Sequence, residues 1–255
     1  MIEHLALLAI FGLMVGSFLN VCIVRIPAGE SIVAPGSRCP TCRTPIKWYD
    51  NIPVIGYVVL GGRCRACRAS ISARYPIVEI VTSLAFVGQG VVCGEDWPLL
   101  AGRLIFTAML IVLFGTDLDV QRLPNVITLP GIAIGLGFSL VAAPGPLDSL
   151  LGAALGAGLL GVVRWAWFRA TGVEGMGLGD VKMLAMVGAF VGWHQVWVTL
   201  FLASVVGALI GVALIVTGAR SLQTKLPFGT FLAVAAYVAS VAGAPLVAWY
   251  VSLYQ

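Results

Sequence analysis

Charge is what this sequence has least of. Only 10% of its 255 residues are Asp, Glu, Lys or Arg, while 60% are hydrophobic and the mean hydropathy is +1.01. So few polar side chains cannot cover the surface of a soluble domain. Histidine is almost missing as well. His4 and His194 are the only two, and no His-Glu-x-x-His pair exists, which excludes the usual zinc-metalloprotease site. No serine sits in a motif that points to Lys182 or a histidine as its base, which removes serine-protease chemistry.

What is abundant is apolar sequence in runs of about 20 residues, the length that crosses a bilayer core. The expected spans are 4–24, 75–93, 99–117, 125–143, 147–168, 180–193, 195–217 and 228–252. The fold expected is an all-α polytopic membrane protein of about eight transmembrane helices, the sixth of them short. The first run is too long to read as a cleaved signal peptide. Eight of the fifteen Lys and Arg residues lie in 25–74: Arg25, Arg38, Arg43, Lys47, Arg63, Arg65, Arg68 and Arg74. With that loop cytoplasmic, Arg122, Arg164, Arg169, Lys182, Arg220 and Lys225 fall on the same side and only Arg103 opposite. The N-terminus is then outside, with Glu95, Asp96 and Asp148. The net charge of +4 is thus an outcome of topology, and no nucleic-acid partner is implied.

The one sizeable polar segment, about 27–76, holds Cys39-Pro-Thr-Cys42 and Cys64-Arg-Ala-Cys67, two Cys-x-x-Cys pairs separated by 21 residues. This spacing matches a four-thiolate structural zinc site. In a reducing cytoplasm a metal is favoured over disulfides. Four cysteine ligands leave no open position, so the zinc is expected to be structural, letting about fifty residues fold around a small core. Cys22 and Cys93 read as helix-packing residues.

Acidic residues in or beside the spans are few: Glu79, Asp117, Asp119, Asp148 and Asp180. Each is a functional candidate by default. Asp117 ends the third span and Asp180 begins the sixth, at similar depth on the cytoplasmic side. Two carboxylates that meet there share one proton, one serving as base toward water and the other as acid toward a carbonyl. Gly175, Gly177 and Gly179 precede Asp180 in "GMGLGDVKM" and are expected to admit an extended substrate strand beside it. Other roles stay open on the residues alone. Asp180 is also a helix-capping residue in kind, Glu79 a partner for Arg74, and Asp119 and Arg122 interfacial charges. A transporter, or a zinc-stabilised scaffold without peptidase activity, is the alternative reading.

Four stretches together carry a resemblance. "GSFLNVCIVRIP" (16–27), the cysteine segment 38–79, "DLDVQRLPN" (117–125) and "GMGLGDVKM" (175–183) resemble, in this order, the type IV leader peptidases, bifunctional membrane aspartyl proteases of the Gly-x-Gly-Asp class. The resemblance implies a catalytic pair at Asp117 and Asp180, selecting Asp117 over Asp119, and zinc on Cys39, Cys42, Cys64 and Cys67. Asn125 stands where the family often has Asp. It further implies cleavage of type 4 prepilins and type II secretion pseudopilins at the cytoplasmic face of the bacterial inner membrane. Methylation of the new N-terminal residue by S-adenosylmethionine is implied as well, with Trp48, Asp50 and Glu79 as candidate methyltransferase residues. Three parts are expected: a first transmembrane helix at 1–26, a cytoplasmic four-cysteine domain at 27–74 and a transmembrane peptidase domain at 75–255.

Overall fold

A computed structural model describes residues 2–217 and 226–252. Arg220 and Lys225 lie outside the described residues. The chain is α1 (Ile2–Ala28), a 3-10 turn (Trp48–Asn51), α2 (Ile55–Val59), α3 (Arg74–Cys93), α4 (Trp97–Val120), α5 (Asn125–Phe138), α6 (Pro146–Thr171), α7 (Leu178–Val191), α8 (Trp193–Val216) and α9 (Phe228–Ser252). Among the described residues there is no β-strand, only two isolated bridges in the cysteine segment. Five helices, α1, α3, α4, α6 and α8, are long and apolar enough to cross a membrane. Helix α5 and the stretch Phe228–Gly243 of α9 are shorter apolar helices. All eight expected spans are helices, but α5 stops at Phe138, short of the expected 143, because Ser139 and the Pro144-Gly145 turn end it.

The chain divides into two compact units, Met1–Gly94 and Glu95–Gln255. The division falls after α3, whereas the expected peptidase part, 75–255, includes this helix.

In the first unit α1 packs along α3. The outward face of α1 is Leu7, Ile10, Phe11, Met14 and Phe18, all exposed at helical spacing, as a lipid-facing stripe is. Its inward face carries Gly12 and Gly16, four residues apart. A methyl at Gly12 would lie 2.6 Å from Ser83 Cα, and one at Gly16 2.7 Å from Glu79 Cα. This is small-residue packing that lets two backbones touch where lipid supplies no hydrophobic drive. Two hydrogen bonds fix the register: Ser83 Oγ donates to Ala9 O (2.9 Å) and Asn20 Nδ2 to Tyr75 O (3.1 Å).

In the second unit α7 is the central helix. Met183, Leu184, Met186, Val187 and Ala189 have no exposed surface. Helix α6 lies against it through Gly152 and Gly156, whose positions leave no room for a side chain beside Gly188 and Leu184. Ser149 Oγ donates to Ala189 O across the same seam (2.5 Å). Helix α5 meets α7 at Gly131 and Gly135, over Met186 and Phe190. Helix α9 packs on α4 and α8. The central, most buried of the described helices therefore carries Asp180 in its first turn.

Candidate active site and metal centre

Asp117 lies in the last turn of α4. That helix stops because Gln121 adopts the left-handed conformation (φ 51°) and donates its N–H to Asp117 O (3.0 Å); Pro124 then bars continuation. The Asp117 side chain is buried, whereas Asp119 two residues on is exposed. The start of α9 meets it. The first N–H groups of a helix have no partner within the helix. Thr230, third residue of α9, gives its N–H to Asp117 Oδ2 (2.7 Å), and its hydroxyl donates to the same oxygen (3.1 Å). Gly229 beside it is closely fitted: a methyl would lie 3.0 Å from Asp117 Oδ2 and 3.0 Å from Leu123 Cδ1, so these side chains would have to give way.

Asp180 is half-buried in the first turn of α7. Helix α7 starts at Leu178 with Gly177 as its N-cap, and the Asp180 carboxylate reaches back to the Gly177 N–H. This is the acidic half of a capping box. The capping role left open on the sequence is thus realised in this side chain. The charges of Asp117 and Asp180 act on each other across the bundle. Leu123 lies between the two helix starts, against Gly229 on one side and Gly179 on the other (2.9 Å to a methyl built there).

The three glycines do different work from a uniformly extended ladder. Gly177 is extended (φ −70°, ψ 145°), but Gly179 is already helical. Gly175 lies against the Trp167 indole, and Gly179 against Leu123. Close approach, not unusual torsion, is what excludes larger residues at 175 and 179. Arg164 fastens this segment to α6, donating to Met176 O (3.2 Å) and pairing with Glu174 (2.6 Å). Asn125 accepts from Lys182 Nζ (2.8 Å), which ties the start of α5 to α7.

In the first unit, Cys39, Cys42, Cys64 and Cys67 converge, with all four sulfurs within 4.8 Å of one another. Cys39 and Cys67 Sγ are 3.8 Å apart, Cys42 and Cys64 3.9 Å. A tetrahedral metal with bonds of about 2.3 Å to sulfur needs sulfurs about 3.8 Å apart, so the cluster fits a four-thiolate ion. The two halves repeat one backbone device. Cys39 N–H donates to Thr44 O and Cys64 N–H to Ala69 O; Arg43 N–H returns to Cys39 O and Arg68 N–H to Cys64 O. Arg43 and Arg68 are both left-handed, φ 58° and 62°. The Thr44 hydroxyl and amide draw the Cys42 thiol down to about 6, and the amides of Cys67 and Ala66 draw Cys64 down. Against the pull of the Ala69 amide, burial and the neighbouring sulfurs push Cys67 up to about 11. Four thiolates this close need a cation among them. Cys22 and Cys93 are buried and apart from the cluster.

The third group is held within the same unit. Trp48 is 80% exposed and its ring meets Tyr49 edge to face at 5.6 Å. Arg65 grips Asp50 with two bonds, 2.8 Å and 2.6 Å, which holds the Asp50 carboxyl below the usual carboxylate range. Glu79 is buried and accepts the Val54 N–H at 2.7 Å. It lies beside Gly16 and Ser17 of α1.

A helical bundle with five helices apolar and long enough to cross a membrane, two carboxylates at helix ends whose charges act on each other, and a four-cysteine cluster define a class: a multi-pass membrane protein. Residues 10–92 match the family model described as Bacterial Peptidase A24 N-terminal domain, and residues 104–212 match that of the Type IV leader peptidase family. The prepilin leader peptidase/N-methyltransferase of Aeromonas salmonicida (strain A449) is 38% identical over 275 aligned positions, which span 98% of this chain and 94% of that protein. The protein of the same name from Pseudomonas aeruginosa PAO1 is 37% identical, over 92% of this chain and 89% of its own. The one from Klebsiella pneumoniae is 42% identical over 76% and 87%. The chain belongs to the type IV leader peptidase family. No solved structure matches it.

Two groups escaped sequence reasoning. Thr230 and Gly229 were not singled out, although "LPFGT" (226–230) places a glycine in the first turn of an apolar helix, as "GMGLGD" does. The Val54 bond to Glu79 joins residues 25 apart and leaves no periodic trace.

Proposed function

We propose that this protein cleaves the leader peptides of type 4 prepilins and pseudopilins and methylates the new N-terminal residue. The observation that carries the peptidase reading is the buried Asp117 carboxylate, fixed by Thr230 and in electrostatic contact with Asp180. The pair holds a water and shares a proton. One carboxylate takes a proton from the water, and the other gives one to the scissile carbonyl and then to the departing amine. The segment Gly175–Gly179 borders the substrate strand. Helices α4–α9 carry this chemistry, within the 75–255 peptidase part.

The second activity belongs to the four-cysteine part, 27–74. Zinc on Cys39, Cys42, Cys64 and Cys67 folds it and takes no part in bond making. S-adenosylmethionine supplies an electrophilic methyl on a sulfonium cation, and the exposed Trp48 ring is suited to hold such a cation, the Tyr49 ring beside it already facing Lys47 and Arg65. Asp50 and Glu79 fix the loop that presents Trp48. The 27–74 part and both aspartates face the cytoplasm of a bacterial inner membrane, with the N-terminus outside.

The test is to mix purified protein with a full-length prepilin, with and without S-adenosylmethionine, and weigh the products. Loss of the leader in both samples, plus one methyl only with the donor, is the expected result. An intact prepilin that a reference leader peptidase does cleave refutes the reading.

Thr230 offers a finer check. Thr230→Val keeps the volume and the backbone N–H but removes the hydroxyl bond to Asp117. It is expected to lower kcat about 10- to 100-fold with KM nearly unchanged, since a hydrogen bond to a charged group is lost. Thr230→Ser, which keeps the hydroxyl and loses the methyl, retains activity. The opposite ranking makes Thr230 a packing residue.

A further inference from the structure

We propose that residues 52–60 are seated in the headgroup boundary of the bilayer, with the exposed face of α2 against lipid and Glu79 as the fixed point that sets its depth. The inference concerns the first unit alone and rests on no assignment of activity. Residues 51–62, "NIPVIGYVVLGG", contain no charge and are bounded by Asp50 and Arg63. Ile55, Val58 and Val59 share one face of α2 and are 58%, 69% and 70% exposed, as open as the lipid-facing Leu7 and Met14 of α1 (67% and 61%). The other face is closed: Gly56 packs directly under the Asp50 carbonyl.

Depth comes from the bond between Val54 N–H and Glu79 Oε2, 2.7 Å. Glu79 lies five residues into α3, about 8 Å along its axis from Arg74. It also packs against Gly16 of α1, nine residues, about 13 Å, before Arg25 in the last turn of that helix. A helix tied to that point lies beside the membrane-embedded part of α3, at the depth of about 5–10 Å that interfacial helices reach. The flanks agree. Trp48, Tyr49 and Tyr57 are interfacial residue types, and Lys47 and Arg63 border the segment with positive charge suited to lipid phosphates, while Arg65 is paired with Asp50. A lipid surface fits this face better than a protein partner, because spans at both ends already tether the segment to the membrane.

The test places a nitroxide, carried on a non-natural amino acid so that the cysteines stay untouched, singly at Val58 or Val59 of the full chain. The protein is reconstituted in vesicles of phosphatidylethanolamine and phosphatidylglycerol. Labels at Met14 and at the 85% exposed Val33 serve as the lipid and water references. At 58 and 59, relaxation by oxygen is expected to exceed relaxation by a water-soluble nickel chelate, as at Met14. A label that behaves like Val33 puts the face in water and overturns the proposal. A label shielded from both reagents puts protein on it and overturns it equally. In Glu79→Leu, which removes the acceptor, nickel access at Val58 is expected to rise severalfold; unchanged access refutes Glu79 as the fixed point.

Discussion

Asp117→Asn and Asp180→Asn are each expected to lose leader cleavage by at least about 10³-fold, the scale of general acid–base catalysis in a paired site. Asparagine keeps the shape of the carboxylate and one oxygen that accepts hydrogen bonds. Thr230 therefore still finds an acceptor at 117, and the Gly177 N–H still finds one at 180, so both variants should enter the membrane and fold. What they lose is the ability to take or give the proton. Asp119→Asn, on an exposed side chain, is expected to cleave within about twofold of the parent, as surface changes away from a site do. Mass spectrometry of prepilin after incubation, with circular dichroism to confirm helix content, decides it. Cleavage retained by either of the first two variants removes the acid pair. Loss of cleavage in all three, with the fold intact, relocates the site toward the α4–α5 turn.

Much of this was legible before any coordinates. Long apolar runs fix helices because a backbone in hydrocarbon must satisfy its own hydrogen bonds, and helices do so locally. Eight runs accordingly became eight helices, most with ends within two or three residues of the expected ones. The cysteine cluster was equally legible, since a repeated Cys-x-x-Cys is a local geometric device. Its two halves even share the left-handed residue four positions after the first cysteine, Arg43 and Arg68.

What sequence could not supply was contact between distant segments. Nothing in a hydropathy pattern says that α3 packs on α1, since that choice rests on Gly12 and Gly16 meeting Ser83 and Glu79. Nor does it show that the orphan N–H of Thr230 ends on Asp117, 113 residues away. Glu79 was readable as a candidate because a carboxylate in a span is costly. Its partner was not: the reading offered Arg74, and the structure gives the Val54 amide. The glycine segment shows the same limit. Its position beside Asp180 was visible, but the separate reasons for Gly175 and Gly179, the Trp167 ring and Leu123, needed the fold.

Replacing one cysteine of the cluster is expected to separate the two activities. Cys39→Ser removes a thiolate from a site whose sulfurs are spaced for one metal ion. Structural zinc contributes about 10–16 kcal/mol of apparent binding free energy in small four-ligand domains, which here is folding free energy for a segment with little core. Of its apolar residues Cys39 is among the few that are buried, while Val33, Ile46, Trp48, Ile52 and Ile55 are all exposed. Without the metal the knuckles have only their short backbone bonds to hold them. Metal content measured by elemental analysis should fall from one zinc per chain to near zero, and methyl transfer should fall with it. Cleavage is proposed to depend on Asp117, Asp180 and Thr230, all in the second compact unit, and should fall much less. Prolonged chelation of the parent protein should reproduce the same division, and acid should promote it, because thiols must lose their protons to bind. A zinc-replete Cys39→Ser protein that still methylates would contradict the assignment of the cluster. Equal loss of both activities would mean that the metal domain is needed to build the peptidase site.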